Sequence, residues 1–169
     1  DFDRALALRP EYTLALHNRG LALLDLKRPA DAAASFEKLL RLEPAYSFVP
    51  GKLLHAKMLC CDWSGFHDAA AAIAASVRTG RKSAEPFGYQ AVSVSPRDLQ
   101  ICAKAYSNEY YPRSRTPLWR SEKYSNPRIR IGYVSGEFRD QATAFLITEL
   151  FELHDKNRFE LYAFDNGWD

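Results

Sequence analysis

The 169 residues, 47% hydrophobic and 13% aromatic, suffice for one ordinary domain or two small ones with a packed core. The 23 basic residues are scattered and nearly balanced by 21 acidic ones, so the net charge of +2 excludes the basic footprint of a nucleic-acid or membrane-surface binder. Cys60, Cys61 and Cys102 form an odd set without metal-ligand spacing, no signal peptide is visible and no stretch reaches the ~20 apolar residues that span a bilayer, so a cytoplasmic protein with reduced thiols is expected.

In chain order, the first feature is an internal echo. Asp1-Phe2-Asp3-Arg4-Ala5-Leu6-Ala7-Leu8-Arg9-Pro10 aligns with Ser35-Phe36-Glu37-Lys38-Leu39-Leu40-Arg41-Leu42-Glu43-Pro44 at an offset of 34 residues. Between them, Leu16, Gly20, Leu23, Ala32, Phe36 and Pro44 fall on the tetratricopeptide-repeat (TPR) spacing, with leucines in place of its tryptophan and tyrosine. Gly20 and Ala32 are small enough for two helices to approach, Phe36 fills space between repeats, and Pro44 ends the second helix. The pattern predicts a helix over 11–26 and another from Pro29 to Leu42, Pro29 being tolerated in a first turn. One repeat cannot bury its apolar face alone, so further repeats are expected before Asp1.

Residues 47–106 read as a degenerate repeat with capping and linking helices. Phe48, Leu53, Leu54, Ala56, Met58 and Leu59 keep helical spacing, although Pro50-Gly51 stands where a regular repeat would continue its first helix. Cys61-Asp62-Trp63-Ser64 reads as a turn carrying an N-cap before an alanine-rich helix from Phe66 to Val77, which 79–83 ends. Pro96 restarts a helix expected to run to Tyr106. His55, Cys60, Cys61 and His67 match no zinc pattern and read as structural, Cys60 on a packed helix face; His17 and His154 read as surface or helix-end residues without a partner.

Residues 107–127 have linker composition, and a new architecture is expected over 128–169. Arg128-Ile129-Arg130-Ile131-Gly132-Tyr133-Val134-Ser135 reads as a strand, Ala142 to Leu153 as a helix burying Phe145, Leu146, Leu150 and Leu153, and Phe159 to Phe164 as a second strand. Strand, helix and strand make the β-α-β unit of a parallel sheet with a right-handed crossover. Two strands do not make a stable sheet, and the abrupt start at Asp1 and stop at Asn166-Gly167-Trp168-Asp169 mark the sequence as a fragment. Ligands of open parallel sheets gather where strands lead into helix N-termini, here 135–141. That loop lacks a dinucleotide or P-loop fingerprint, and a polar turn with Asp140 capping the next helix is the other reading.

Arg130-Ile131-Gly132-Tyr133-Val134-Ser135-Gly136-Glu137-Phe138-Arg139-Asp140, with Ala142-Thr143-Ala144-Phe145-Leu146, resembles the opening of the catalytic domain of bacterial O-GlcNAc-transferase-like proteins. Phe151 to Asp155 and Arg158 to Gly167 continue the likeness, and Leu53 to Met58 with Cys61-Asp62-Trp63 is similar to that family's segment between repeats and catalytic domain. The fold class implied is mainly α, TPR helical hairpins followed by the β-α-β start of an α/β, Rossmann-like GT-B N-terminal lobe. The function implied is transfer of GlcNAc from UDP-GlcNAc to serine or threonine of protein or peptide acceptors held in the TPR groove, with no metal or cofactor and the nucleotide bound mainly by a C-terminal lobe beyond this sequence. The fragment alone is expected to be inactive.

Two positions, Asn18 and Gln141, carry over individually from that resemblance, and three more are candidates beside the loop. Asn18 falls in the slot where related repeats line the groove and bind an acceptor backbone. Ser135, Asp140 and Thr143 lie around the loop as substrate-binding candidates. Gln141 stands where the family carries a histidine facing acceptor and sugar; glutamine hydrogen-bonds but does not titrate near neutral pH. The alternative is a non-catalytic TPR scaffold for protein-protein interaction, and Gln141 is its best support.

Overall fold

The computed structural model describes residues 1–167; Trp168 and Asp169, the end of the expected terminal segment, lie outside the described residues. Contacts divide the chain into Asp1–Arg115 and a second unit from Thr116 onward. The fold is mainly helical, with one small parallel sheet.

In the first unit, α1 (Phe2–Leu8) precedes three successive packed helix pairs: α2 (Thr13–Asp25) with α3 (Pro29–Leu42), α4 (Val49–Leu59) with α5 (Phe66–Arg78), and α6 (Pro86–Gln90) with α7 (Pro96–Tyr110). Leu16, Leu23, Ala32, Phe36 and Leu39 are buried together with Val49 and Ala56 of α4, so the core of the first pair is completed by the second. A second cluster, Leu54, Ile73, Val77, Tyr89 and Cys102, joins α4 to α7. Each pair thus buries apolar surface that it could not cover alone. Ion pairs stitch the same joints: Arg19 reaches Asp3 at 2.7 Å and Ser35 Oγ at 2.7 Å, Lys57 reaches Glu37 at 2.8 Å, and Arg78 reaches the buried Asp98 at 2.8 Å.

Several local expectations are corrected. Pro50 and Gly51 open α4 rather than interrupting it: proline lacks the N–H that a first helical turn leaves unbonded, and a Cβ on Gly51 would lie 2.7 Å from Ala84 Cα. That approach lets Gly51 N donate to Ser83 O at 2.8 Å and Phe48 N to Lys82 O at 2.5 Å. Phe48, held at φ 65°, is buried against Tyr106 and Tyr110. Before α5, Ser64 does not cap; it donates to Asp62 Oδ1, and Gly65 at φ +65° occupies the N-cap. Cys60 is exposed at the end of α4 instead of packed, its thiol donating to Ala56 O and Lys57 O. His17 stacks on Tyr46 at 5.3 Å, and His154 Nε2 lies 2.6 Å from Tyr133 Oη, so neither is partnerless. The helix expected to end at Tyr106 continues to Tyr110.

In the second unit, β1 (Ile129–Ser135) and β2 (Phe159–Asp165) pair in parallel, Ile131 opposite Leu161 and Tyr133 opposite Ala163, with α8 (Ala142–Leu153) between them in sequence. α8 carries two apolar stripes besides Glu149 and Glu152, and the face it buries is not the expected one. Ala144, Ile147 and Phe151 are half-buried, Phe151 meeting the Tyr133 ring edge-on at 4.8 Å. Phe145, Leu146, Leu150 and Leu153 are exposed. Periodicity allowed both stripes; the one carrying Ala144 lets the helix come close to the sheet.

Candidate functional site

The TPR-type surface is built from residues one period apart. Asn18 on α2 recurs 34 residues on as Lys52 on α4. Asn18 is half-buried; its Oδ1 lies 3.3 Å from His17 Nδ1, and its amide nitrogen has no hydrogen-bond partner among the described residues. His17, desolvated between neighbours, has its pKa lowered from 6.5, and the positive charge of Lys52 lowers it further. Lys52 is mostly buried and bridges to Glu85 at 2.6 Å, which fastens α4 to the start of α6.

Behind that ion pair lies a cavity of about 140 Å³. Its walls are Leu24 of α2, Leu54 of α4, Ile73 of α5, Phe87 and Tyr89 of α6, and Val92. Gly88 also faces it, and a Cβ added there would meet nothing within 4 Å. The Phe87 ring is 86% exposed, free to contact whatever approaches. None of these cavity residues was read from sequence as part of a site, Leu54 standing there only for its helical spacing; the 34-residue step from Asn18 to Lys52 was the available signal.

In the second unit, Ser135, Gln141 and Thr143 of the expected loop residues come together around β1 and the start of α8, with Glu137 at the centre. Thr143 Oγ1 donates to Glu137 Oε2 at 2.6 Å. The Gln141 amide, oriented to satisfy its neighbours, donates to Glu137 Oε1 at 3.1 Å and accepts from Arg139 Nη2 at 3.0 Å. Ser135 Oγ accepts from Glu137 N at 3.0 Å, and Ser135 O accepts from Asn166 N at 3.2 Å. Asp140 does not cap α8: the N-cap residue is Gln141, whose side chain makes no cap bond, and Asp140 is exposed. The loops after the strands touch backbone to backbone, since a Cβ on Gly136 would lie 2.9 Å from Gly167 Cα.

Chemically, the half-buried Glu137 carboxyl engages the Thr143 hydroxyl and the Gln141 amide, so these two groups are tied to each other through it. Gln141 supplies hydrogen bonds and no titratable group. Among the described residues, no three His, Cys, Asp or Glu side chains converge to hold a metal ion, and no helix is long and apolar enough to cross a membrane. No curated protein matches the chain. Residues 13–46 match the tetratricopeptide repeat family, so α2, α3 and the turn after them form a tetratricopeptide repeat.

Proposed function

We propose that the chain binds an extended protein or peptide segment on the surface carried by α2, α4 and α6. The observation that carries this reading is the tetratricopeptide repeat at 13–46, continued by two further helix pairs, with the Asn18 amide nitrogen unpartnered upon it. An asparagine side chain donates and accepts at once, as a peptide backbone requires. The test is a peptide-array screen of the intact protein, repeated with Asn18→Ala. Binding that weakens across many sequences supports backbone recognition; binding unaffected by the variant refutes it.

A second reading concerns the whole protein: an O-GlcNAc-transferase-like enzyme of the cytoplasm, a hexosyltransferase using UDP-GlcNAc on the proteins the repeats recruit. The family resemblance supports it, and so does the parallel β1-α8-β2 arrangement with Ser135, Gln141 and Thr143 gathered beyond β1. Incubating the intact gene product with UDP-GlcNAc and cell extract should add hexosamine to serine or threonine, read by mass spectrometry. Peptide binding without transfer would instead support a scaffold, and a gain of transfer in Gln141→His would place the missing proton acceptor at that position.

A further inference from the structure

The cavity behind the Lys52–Glu85 ion pair has the dimensions of a side-chain receptacle. Its volume of about 140 Å³ is close to that of apolar cavities, ~150 Å³, that stay dry and admit a benzene-sized guest. Its walls are mainly aliphatic and aromatic, and Gly88 leaves space where any other residue would project a Cβ. The polar side chains that line it are Lys52, Glu85 and His55; Lys52 and Glu85 neutralise each other at 2.6 Å, so this pair attracts neither a carboxylate nor an ammonium group strongly. Charged guests are disfavoured because most of the wall is apolar and its one acid and one lysine are already paired with each other.

We infer that this cavity is a specificity pocket for one bulky apolar side chain, of about leucine's size, of the polypeptide bound along α2 and α4. The inference rests on the polypeptide-binding reading above. Asn18 engages the backbone of the segment, and the pocket selects the residue beside it. The exposed Phe87 ring covers part of that residue once it has entered. The largely apolar wall and the paired charges at the mouth are what favour an apolar, neutral occupant, and the volume is what suits a side chain of leucine's size.

The experiment uses methyl-labelled full chain and two probes. One is a blocked seven-residue peptide of serine and alanine with leucine at its centre, compared with its alanine and aspartate counterparts. The other is N-acetyl-leucine methylamide. The leucine peptide should shift the Leu24, Ile73 and Val92 methyl resonances and bind about tenfold or more tightly than the alanine peptide, the difference expected from burying the additional methylenes. Gly88→Leu should fill the pocket from within and abolish that preference, while Gly88→Ala, too small to fill it, should retain it; melting curves establish that both variants fold. Equal binding of leucine and alanine peptides, or a leucine preference surviving Gly88→Leu, overturns the pocket and leaves polypeptide binding standing. If no peptide shifts α2 or α4 resonances while the methylamide enters the pocket and Gly88→Leu expels it, the polypeptide reading fails and the apolar receptacle stands.

Discussion

Gly20→Ala should destabilise the first unit, although alanine is the better helix former. A Cβ at position 20 would lie 2.3, 2.6 and 2.8 Å from the Phe36 ring atoms Cε1, Cζ and Cδ1. Carbon atoms rest at roughly 3.5–4.0 Å, so the ring or the helix must move by about an ångström. Phe36 is 0% exposed, which leaves the ring no empty space to enter. Overpacking of this kind costs about 1–3 kcal/mol, against about 1 kcal/mol gained from replacing glycine inside a helix. The difference spans about 0–2 kcal/mol. Because the fully buried ring has no space to enter, the upper end is expected, a net loss of about 2 kcal/mol that lowers a urea midpoint followed by helical circular dichroism by roughly 1 M. Phe36→Leu removes the colliding ring atoms, so the double variant should show a favourable coupling of about 1 kcal/mol or more. A Gly20→Ala protein as stable as the parent, or no coupling with Phe36→Leu, would refute the claim that helix approach dictates glycine here.

Burial raises the Cys102 thiol to about 11, and its Sγ donates to Ala84 O, whereas Cys60 and Cys61 are exposed. Iodoacetamide at pH 8 should therefore modify the latter two in the native chain and Cys102 only after unfolding, as peptide mass mapping will show. Because that raised value exceeds the ordinary 9.0, its stabilisation is complete below pH 9 and is lost as pH rises through about 11; alkaline melts should show the decline, and Cys102→Ser should flatten it. His17 has the opposite sign: its lowered pKa stabilises the fold above pH 6.5 and ceases to do so as pH falls below that value, a slope that His17→Gln should remove. On α8, Leu146→Glu should change the stability of the 169-residue chain by less than about 0.5 kcal/mol, while Phe151→Ala should cost on the order of 2 kcal/mol, read by thermal melts of each variant.

The TPR pair was legible because its restrictions are local and periodic: Gly20 and Phe36 must meet, and Pro29 suits only a first turn. The order of β1, α8 and β2 was legible for a similar reason, since the apolar period changes from two to about 3.6 and back. What stayed hidden depended on partners distant in sequence. Pro50-Gly51 resembled a break until Ser83 and Ala84, more than thirty residues away, came against Gly51. The buried face of α8 could not be chosen from a helix that carries two apolar stripes. The Glu137 network was hidden too, because a lone glutamate in a turn carries no sign that a threonine and a glutamine will converge on it.

The slot occupied by Asn18 holds Lys52 one period later and Pro86 one period after that. Its chemistry changes in a definite direction: an amide that donates and accepts, then a cation engaged by Glu85, then a residue with no backbone donor at all. On the proposed peptide-binding reading, a polypeptide lying across these helices would find side-chain hydrogen bonds for its backbone at α2 and progressively fewer beyond it. Over the same steps the surface gains a cavity, which opens beside Lys52 and is walled by Phe87 and Tyr89 of α6. Recognition should accordingly pass from sequence-independent contacts at α2 to side-chain selection at α6. Alanine at position 18 should weaken all peptides alike, whereas leucine at position 88 should weaken only those with a bulky apolar residue, and the two losses should add because each variant removes a separate contact.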